Sequence, residues 1–463
     1  MKLFLNAFLH CLIYNAAFPD LILRTSEIEA AGMPTHKLAE FTTPTGGQQV
    51  SLSLAALSGN PAIYFDWKGN EELDQYLLKD TYTLFNAQTT AGARVKVYVY
   101  DENERIGVFS MSGATLTDLD ASGLVDAFCL SFSNAGLSEA IFPENANVTE
   151  LTLDGNEFSD MSQIPFDKWT NLSSLSLNNN RFTTFDFSSL KSLQAVSMAS
   201  NNLRSITLGN PNLFFLNLSG NQFRSFSYEK SKTPVLEQLG LSQNFLESVD
   251  IPEDATALKA LTLDHNNFNF ATLPLKRDNW VIYSYHAQAL AQPTSNKDGK
   301  VDFSFTDKAK DGTQTVYTWY VGEVEMSDAG VPVVDESGEI VGEKLDVEQY
   351  SVEDGVTTFL GNYPELTCVM TNPALPNLQL VSIPVSVSLG IDDVVSPEDI
   401  RLTVNGNSLT VTAPADFEAA LYGINGMLAG KAQLTDGTAT FGNLAPGVYI
   451  LATPAGAYRI LVK

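Results

Sequence analysis

From Val148 to Phe268 one hydrophobic pattern is written six times: an apolar residue, two positions, a second, one position, a third, two positions, asparagine, one position, then leucine or phenylalanine. The copies are Val148/Leu151/Leu153/Asn156/Phe158, Leu172/Leu175/Leu177/Asn180/Phe182, Leu193/Val196/Met198/Asn201/Leu203, Leu213/Leu216/Leu218/Asn221/Phe223, Leu236/Leu239/Leu241/Asn244/Leu246 and Leu258/Leu261/Leu263/Asn266/Phe268. Successive asparagines lie 24, 21, 20, 23 and 22 residues apart. Apolar residues two apart on a strand point the same way, so each copy predicts one short strand whose apolar side faces into a coil. No coil buries that side alone. Stacked copies make a parallel sheet, and six strands about 4.8 Å apart give it a face about 30 Å long. An asparagine amide both donates and accepts, which suits it to pair backbone groups of adjacent coils. A second phrase follows the asparagine, as in Phe182/Phe185/Phe187 and Leu203/Ile206/Leu208, and its alternation in twos predicts an extended rather than helical back.

A repeat of this length and spelling resembles the leucine-rich repeat. The flanks read as strands too, so the expected fold class is mainly β, a leucine-rich repeat solenoid flanked by β-sandwich (immunoglobulin-like) domains. The expected division is a leader at 1–30, an amino-terminal sandwich at 31–115, the solenoid with its cap at 116–276, an immunoglobulin-like sandwich at 277–390 and a carboxy-terminal sandwich at 391–463.

In the first sandwich Val50/Leu52/Leu54, Ile63/Phe65/Trp67 and Val95/Val97/Val99 alternate. With the turn Trp67-Lys68-Gly69-Asn70, this segment resembles the domain that precedes the repeats in surface leucine-rich proteins of Bacteroidetes. The family usually has tryptophan-glycine-aspartate-glycine at that turn, a departure that leaves the turn's role open. Phe128/Leu130/Phe132 with Asn134 reads as a worn repeat, the cap of the solenoid. After Trp280 the markers Val301/Phe303/Phe305, Tyr317/Trp319/Val321 and Val381/Ile383/Val385/Val387 predict a sandwich arranged as in internalins. The tail runs from Gly390-Ile-Asp-Asp through Leu402/Val404, Leu409/Val411 and Gly447-Val448-Tyr449 to Tyr458-Arg-Ile-Leu-Val-Lys463. It resembles the carboxy-terminal sorting domain of the type IX secretion system. That resemblance implies export behind a signal peptide, loss of the tail and either release or attachment at the outer-membrane surface. The alternative is a small seven-strand sandwich with no sorting role.

Fifty-four acidic against 27 basic residues argue against nucleic acid, whose phosphates such a chain repels. The apolar start from Met1 to Phe18 resembles a signal peptide and is too short to span a bilayer; no transmembrane segment is expected in the mature chain. Cys129 and Cys368 are expected to be buried reduced thiols. Asp118, Asp120 and Asp126 imitate half a calcium loop, but Cys129 stands where its bidentate glutamate belongs, so no metal site and no cofactor is assigned. No zinc helix, phosphate loop or nucleophile elbow is present, and the acid-histidine neighbours Asp264 and His265 lack a nucleophile to serve, so no catalytic residues are assigned and the chain is read as non-enzymatic.

Outward positions of the repeat strands are mostly small and polar. Candidate partner-binding residues on this exposed face are Glu150, Thr152, Phe214, Phe215, Asn217, Gln238, Thr262 and Asp264, with Phe215 as the anchor because large aromatic side chains dominate binding hot spots. The expected function is a secreted or surface-attached protein whose repeat sheet engages a protein or host-surface partner. A face that recognises nothing is the bland alternative. The second functional reading is a glycan-binding surface protein using Tyr317, Trp319 and Tyr320.

Overall fold

A computed structural model describes residues 21–24, 32–79, 81–144, 147–160, 162, 164–389 and 399–463. Apart from 21–24, the leader lies outside the described residues, as does the Gly390-Ile-Asp-Asp opening of the tail. The chain divides into two compact units. One comprises residues 1–223, 229–241 and 252–261, the other 224–228, 242–251 and 262–463.

In the first unit one sheet is antiparallel, ordered Leu21–Arg24, Asp74–Leu77, Ala62–Asp66, Ala93–Val99, His36–Thr43 and Asp118–Asp120. Leu21–Arg24, read above as leader, is thus an edge strand paired with Asp74–Leu77. The second sheet begins at Thr83–Gln88, Gln49–Ala56 and Ile106–Ser112. Inward side chains of the two sheets, Val50, Leu52 and Leu54 from one and Ile63, Phe65, Val95, Val97 and Val99 from the other, are wholly buried. The second sheet does not stop at the sandwich. Ile106–Ser112 pairs antiparallel with Gln49–Ala56 and, on its other edge, parallel with Cys129–Ser133. From there the strands Glu150–Thr152, Ser174–Ser176, Ala195–Ser197, Phe215–Asn217 and Gln238–Gly240 continue the same sheet. A sandwich strand that would otherwise offer unpaired N–H and C=O groups is covered by the first coil, so the solenoid needs no separate lid at this end.

The repeat pattern folds as its spacing dictates. Leu151, Leu175, Val196, Leu216 and Leu239 are at most 1 % exposed, and Leu153, Leu177, Met198, Leu218 and Leu241 are fully buried. The back is extended: Thr184–Asp186 pairs parallel with Ser205–Thr207. Phenylalanines fill the broad early coils, with Phe185 4.3 Å from Phe187 and 5.6 Å from Phe182 between ring centroids. The buried Trp169 indole donates to the Pro143 carbonyl at 3.0 Å.

In the second unit Ser225–Ser227 pairs parallel with Ser248–Asp250 on the back of the later coils. One more coil follows: Leu263 N donates to Ser284 O, and Trp280, Tyr283, Tyr285, Gln288 and Leu290 repeat the spacing of Leu258 to Phe268. The sequence reading ended the solenoid at 276, because the letters change from leucine and asparagine to aromatics and glutamine while the geometry does not. Beyond it lie a four-stranded sheet built on Ser295–Lys297, Lys300–Asp302, Val356–Phe359 and Tyr350–Glu353 and a five-stranded sheet centred on Val316–Val321 and Tyr363–Thr371. Phe303, Trp319, Leu366, Cys368 and Met370 form their core. The tail folds as two further antiparallel sheets, of three and four strands, closed over Leu409, Val411, Ala419, Leu421, Leu451 and Val462.

Cys368 is free and buried, whereas Cys129 is disulfide-bonded, which corrects the expectation of two reduced thiols.

Candidate functional site

Each coil after the first is fixed by one amide. Asn180 donates from Nδ2 to the carbonyls of Leu153 (2.8 Å) and Leu177 (3.3 Å), while its Oδ1 accepts from Phe158 N at 3.0 Å. Asn201 repeats this with Leu177, Met198 and Phe182, and Asn221 with Met198, Leu218 and Leu203. Asn156 reaches back to the first coil, donating to Phe132 O and accepting from Ala135 N and Leu137 N. In the second unit Gln288 takes the same role, donating to Leu263 O and Tyr285 O and accepting from Phe268 N. The residue just before the ladder amide turns left-handed in every described coil: Asn134, Gly155, Asn179, Ser200, Gly220, Gln243, His265 and Ala287 have φ between 51° and 70°. Asn134 is therefore no displaced ladder asparagine. It is the turning residue, and Ala135 holds the ladder position of the first coil. At Gly155 a Cβ would lie 2.1 Å from Asn134 Oδ1, so glycine is required there.

This turn aims the outward side chains. Asp154 Oδ1 accepts from Ser176 Oγ and Asn178 N, both at 2.7 Å, and Asn178 Oδ1 accepts from Ser197 Oγ and Ala199 N, both at 2.7 Å. Asn217 donates to Ser197 Oγ at 3.3 Å and accepts from Ser219 N. In the second unit Asp264 receives Ser284 Oγ at 2.7 Å, His286 N at 2.9 Å and Ser242 Oγ at 3.3 Å. Its carboxylate is thus held by hydroxyl and backbone donors of neighbouring coils, and His265 is set beside it by the left-handed turn.

Glu150, Thr152, Phe214, Asn217, Gln238, Thr262 and Asp264 are partly exposed, as the alternation predicts. Phe215 is not: it is 1 % exposed, which removes it as an accessible anchor. In-register pairing sets it between Ala195 and Gln238, and the ring is engaged inside the fold. Beside it Gln238 has a buried Oε1 with no hydrogen-bond partner. Large apolar groups reach solvent one position earlier, in the column formed by Phe128, Thr149, Ser173, Gln194, Phe214, Glu237 and Lys259, where each residue's N–H bonds to the carbonyl of the one before. Phe128 is 36 % exposed, and its ring lies over Gly107, where a Cβ would sit 2.8 Å from it. The sequence reading missed Phe128 because it was counted as an inward strand residue. Its place directly before Cys129, matching Phe214 before Phe215, was the available signal.

The proposed aromatic platform for glycans is core. Tyr317, Trp319 and Tyr320 are 7 %, 0 % and 4 % exposed, and Trp319 Nε1 donates to Thr357 Oγ1 at 3.2 Å. Trp319 and Tyr317 alternate on one side of their strand, and that side is closed by Phe303 and Phe359.

Among known families, the one described as leucine rich repeat matches residues 146–203. Human Toll-like receptor 1 is 26 % identical over 184 residues, a match that spans 37 % of this chain and 23 % of the receptor, about a quarter of its length. Similar solved structures include the functional domain of InlJ from Listeria monocytogenes, at 14 % identity, TM-score 0.29 and coverage of 61 % of this chain and 80 % of that one. The Toll–Spatzle complex of Drosophila aligns at 16 % identity and TM-score 0.26, covering 36 % and 32 %. A leucine-rich repeat protein of Leptospira interrogans aligns at 24 % identity and TM-score 0.24, covering 33 % and 52 %. The chain therefore carries leucine-rich repeats, and no helix among its described residues is long and apolar enough to cross a membrane.

Proposed function

We propose that this is a non-enzymatic, secreted or cell-surface leucine-rich repeat protein that engages a protein partner with its repeat sheet, at the margin marked by Phe128, Phe214 and Gln238. The observation that carries this reading is the division of labour on the sheet. Asp154, Asn178 and Asn217 are spent on hydrogen bonds between coils, whereas Phe128 and Phe214 present apolar rings outward and Gln238 holds an acceptor without a donor. A buried, unpaired acceptor is costly, and a rotation that brings the Gln238 Oε1 to the surface would let a partner's N–H or O–H relieve that cost. Glu150, Thr152, Thr262 and Asp264 would form the polar remainder of the contact, with Phe215 supporting it from beneath. The relative named a receptor supports the same class of function. In this reading the amino-terminal sandwich and the sheets that follow the last coil, from Ser295 on, are flanking sandwiches, the latter immunoglobulin-like, and 391–463 is the type IX sorting domain of a Bacteroidetes surface protein, with the residues before Leu21 as its leader.

The test is capture. Full-length wild type and a Phe214→Ala, Gln238→Ala double variant are used to pull down partners from host and bacterial surface extracts. The variant is expected to lose the captured species while its thermal unfolding stays that of wild type. Undiminished capture by the variant would remove this margin from the function.

A further inference from the structure

The second unit contains a cavity of about 390 Å³ between its last coils, the sheets that follow them and the tail sandwich. That volume is within the range of small-molecule sites. Its walls are mostly apolar, with Phe245, Phe268, Leu290, Phe305, Leu380 and Ile450 among them. Two charged groups line it, the carboxylate of Glu247 and the guanidinium of Arg459. Arg459 reaches into the wall from the last strand, Gly456–Val462, with its guanidinium 3.0 Å from the centroid of the Phe245 ring. Stacking on a ring face fixes the plane of a guanidinium and leaves its edge donors pointing sideways. Among the described residues Arg459 makes no ion pair and no side-chain hydrogen bond, so these donors are unanswered. The amides around it are already committed: Asn267 bonds to Phe245 O, and Asn269 caps the backbone of Ala271 and Thr272. Burial and the nearby Arg224 charge both pull the arginine's pKa down, to about 10, with Glu247 as the opposing acid. It stays cationic at neutral pH, in a chain whose net charge is −27.

A partly buried cation with free donors, surrounded by apolar walls, matches one chemistry. We infer that this cavity binds a small organic carboxylate with an apolar body, the carboxylate taken by the Arg459 guanidinium edge and the body by the walls around Phe305 and Leu380. A planar guanidinium pairs bidentately with a carboxylate, and a water-poor site strengthens that pair. The site is separate from the repeat face, and its failure would leave the partner-binding proposal untouched.

Phenylacetate and hexanoate serve as probes, titrated calorimetrically into the full chain beside their neutral isosteres phenylacetamide and hexanamide. The acids are expected to bind at least about tenfold more tightly than the amides, in line with a charge-assisted hydrogen-bond pair. The aryl and alkyl arms distinguish an aromatic from an aliphatic ligand. Arg459→Gln is expected to abolish the preference for the acids, and Leu290→Trp, which fills the cavity and keeps the arginine, to abolish binding altogether. Equal binding of acid and amide to wild type, or no binding of either acid, overturns the inference without any variant being needed. Binding that persists in Leu290→Trp also overturns it, by placing the ligand elsewhere.

Discussion

Asn178 and Asn180 sit two positions apart on one turn and do opposite jobs. Asn180 points inward and spends its amide on backbone carbonyls and an N–H of adjacent coils. Asn178 points outward and trades hydrogen bonds mainly with side chains, Asp154 and Ser176 on one side and Ser197 on the other. One coil later the inward place is again asparagine, Asn201, but the outward place has become Ala199. The inner amide answers backbone groups that every coil presents and that cannot find water. The outer one answers side chains that can be rewritten together. Fold is therefore fixed on one side of this turn, and recognition is free to vary on the other.

Substitutions break or sharpen that contrast. Asn180→Ala leaves the buried Phe158 N–H unpaired and removes one of two donors from the carbonyls of Leu153 and Leu177, which Asn156 and Asn201 also reach, and is expected to cost roughly 2 kcal/mol, read from the urea midpoint of the solenoid. Asn178→Ala removes bonds that water replaces and is expected to cost about 1 kcal/mol. If the outer substitution proves as damaging as the inner, the two positions are not distinct in kind. The smallest effect belongs to a charged bridge on the amino-terminal sandwich. Burial alone would raise the Glu40 carboxyl, but hydrogen bonds and charge from Arg94 and Lys37 outweigh it and hold its pKa below the ordinary 4.5. A depressed carboxylate contributes stability above its unfolded value and loses it as pH falls through the folded one. Arg94→Gln should therefore lower the melting temperature only slightly at neutral pH, because so exposed an arginine is screened by solvent. The gap from wild type should narrow as pH falls below the ordinary carboxylate range and the Glu40 carboxylate becomes protonated. A gap that widens in acid would mean that another group carries the effect.

The inward columns were legible in the sequence because each position recurs with the same chemistry under the same constraint. Gln288 escaped because the constraint is an amide at a given reach, and glutamine meets it while breaking the spelling; Trp280, Tyr283 and Tyr285 around it imitate a sandwich strand. Asn134 was mistaken for a ladder residue because asparagine is favoured both as ladder amide and in the left-handed turn, and sequence does not separate the two uses one position apart. On the outward face the exposure was misjudged at Phe215. Alternation tells which way Phe215 points, but not what closes over a ring in a narrow column. The same limit applied to Tyr317 and Trp319, where alternation was visible and the identity of the covering layer was not.

The left-handed residue that precedes each ladder amide has a consequence for the gene as well. The chain enters and leaves each coil in the same direction, and each coil from Asn156 to Asn266 presents its neighbour with the same carbonyls and an asparagine amide. An in-frame duplication of about 22 codons, one repeat period, between Asn180 and Asn201 would therefore add a ninth turn without demanding any new kind of contact. The length of this sheet can be changed by copying, while the letters that face outward remain free to diverge after the copy is made.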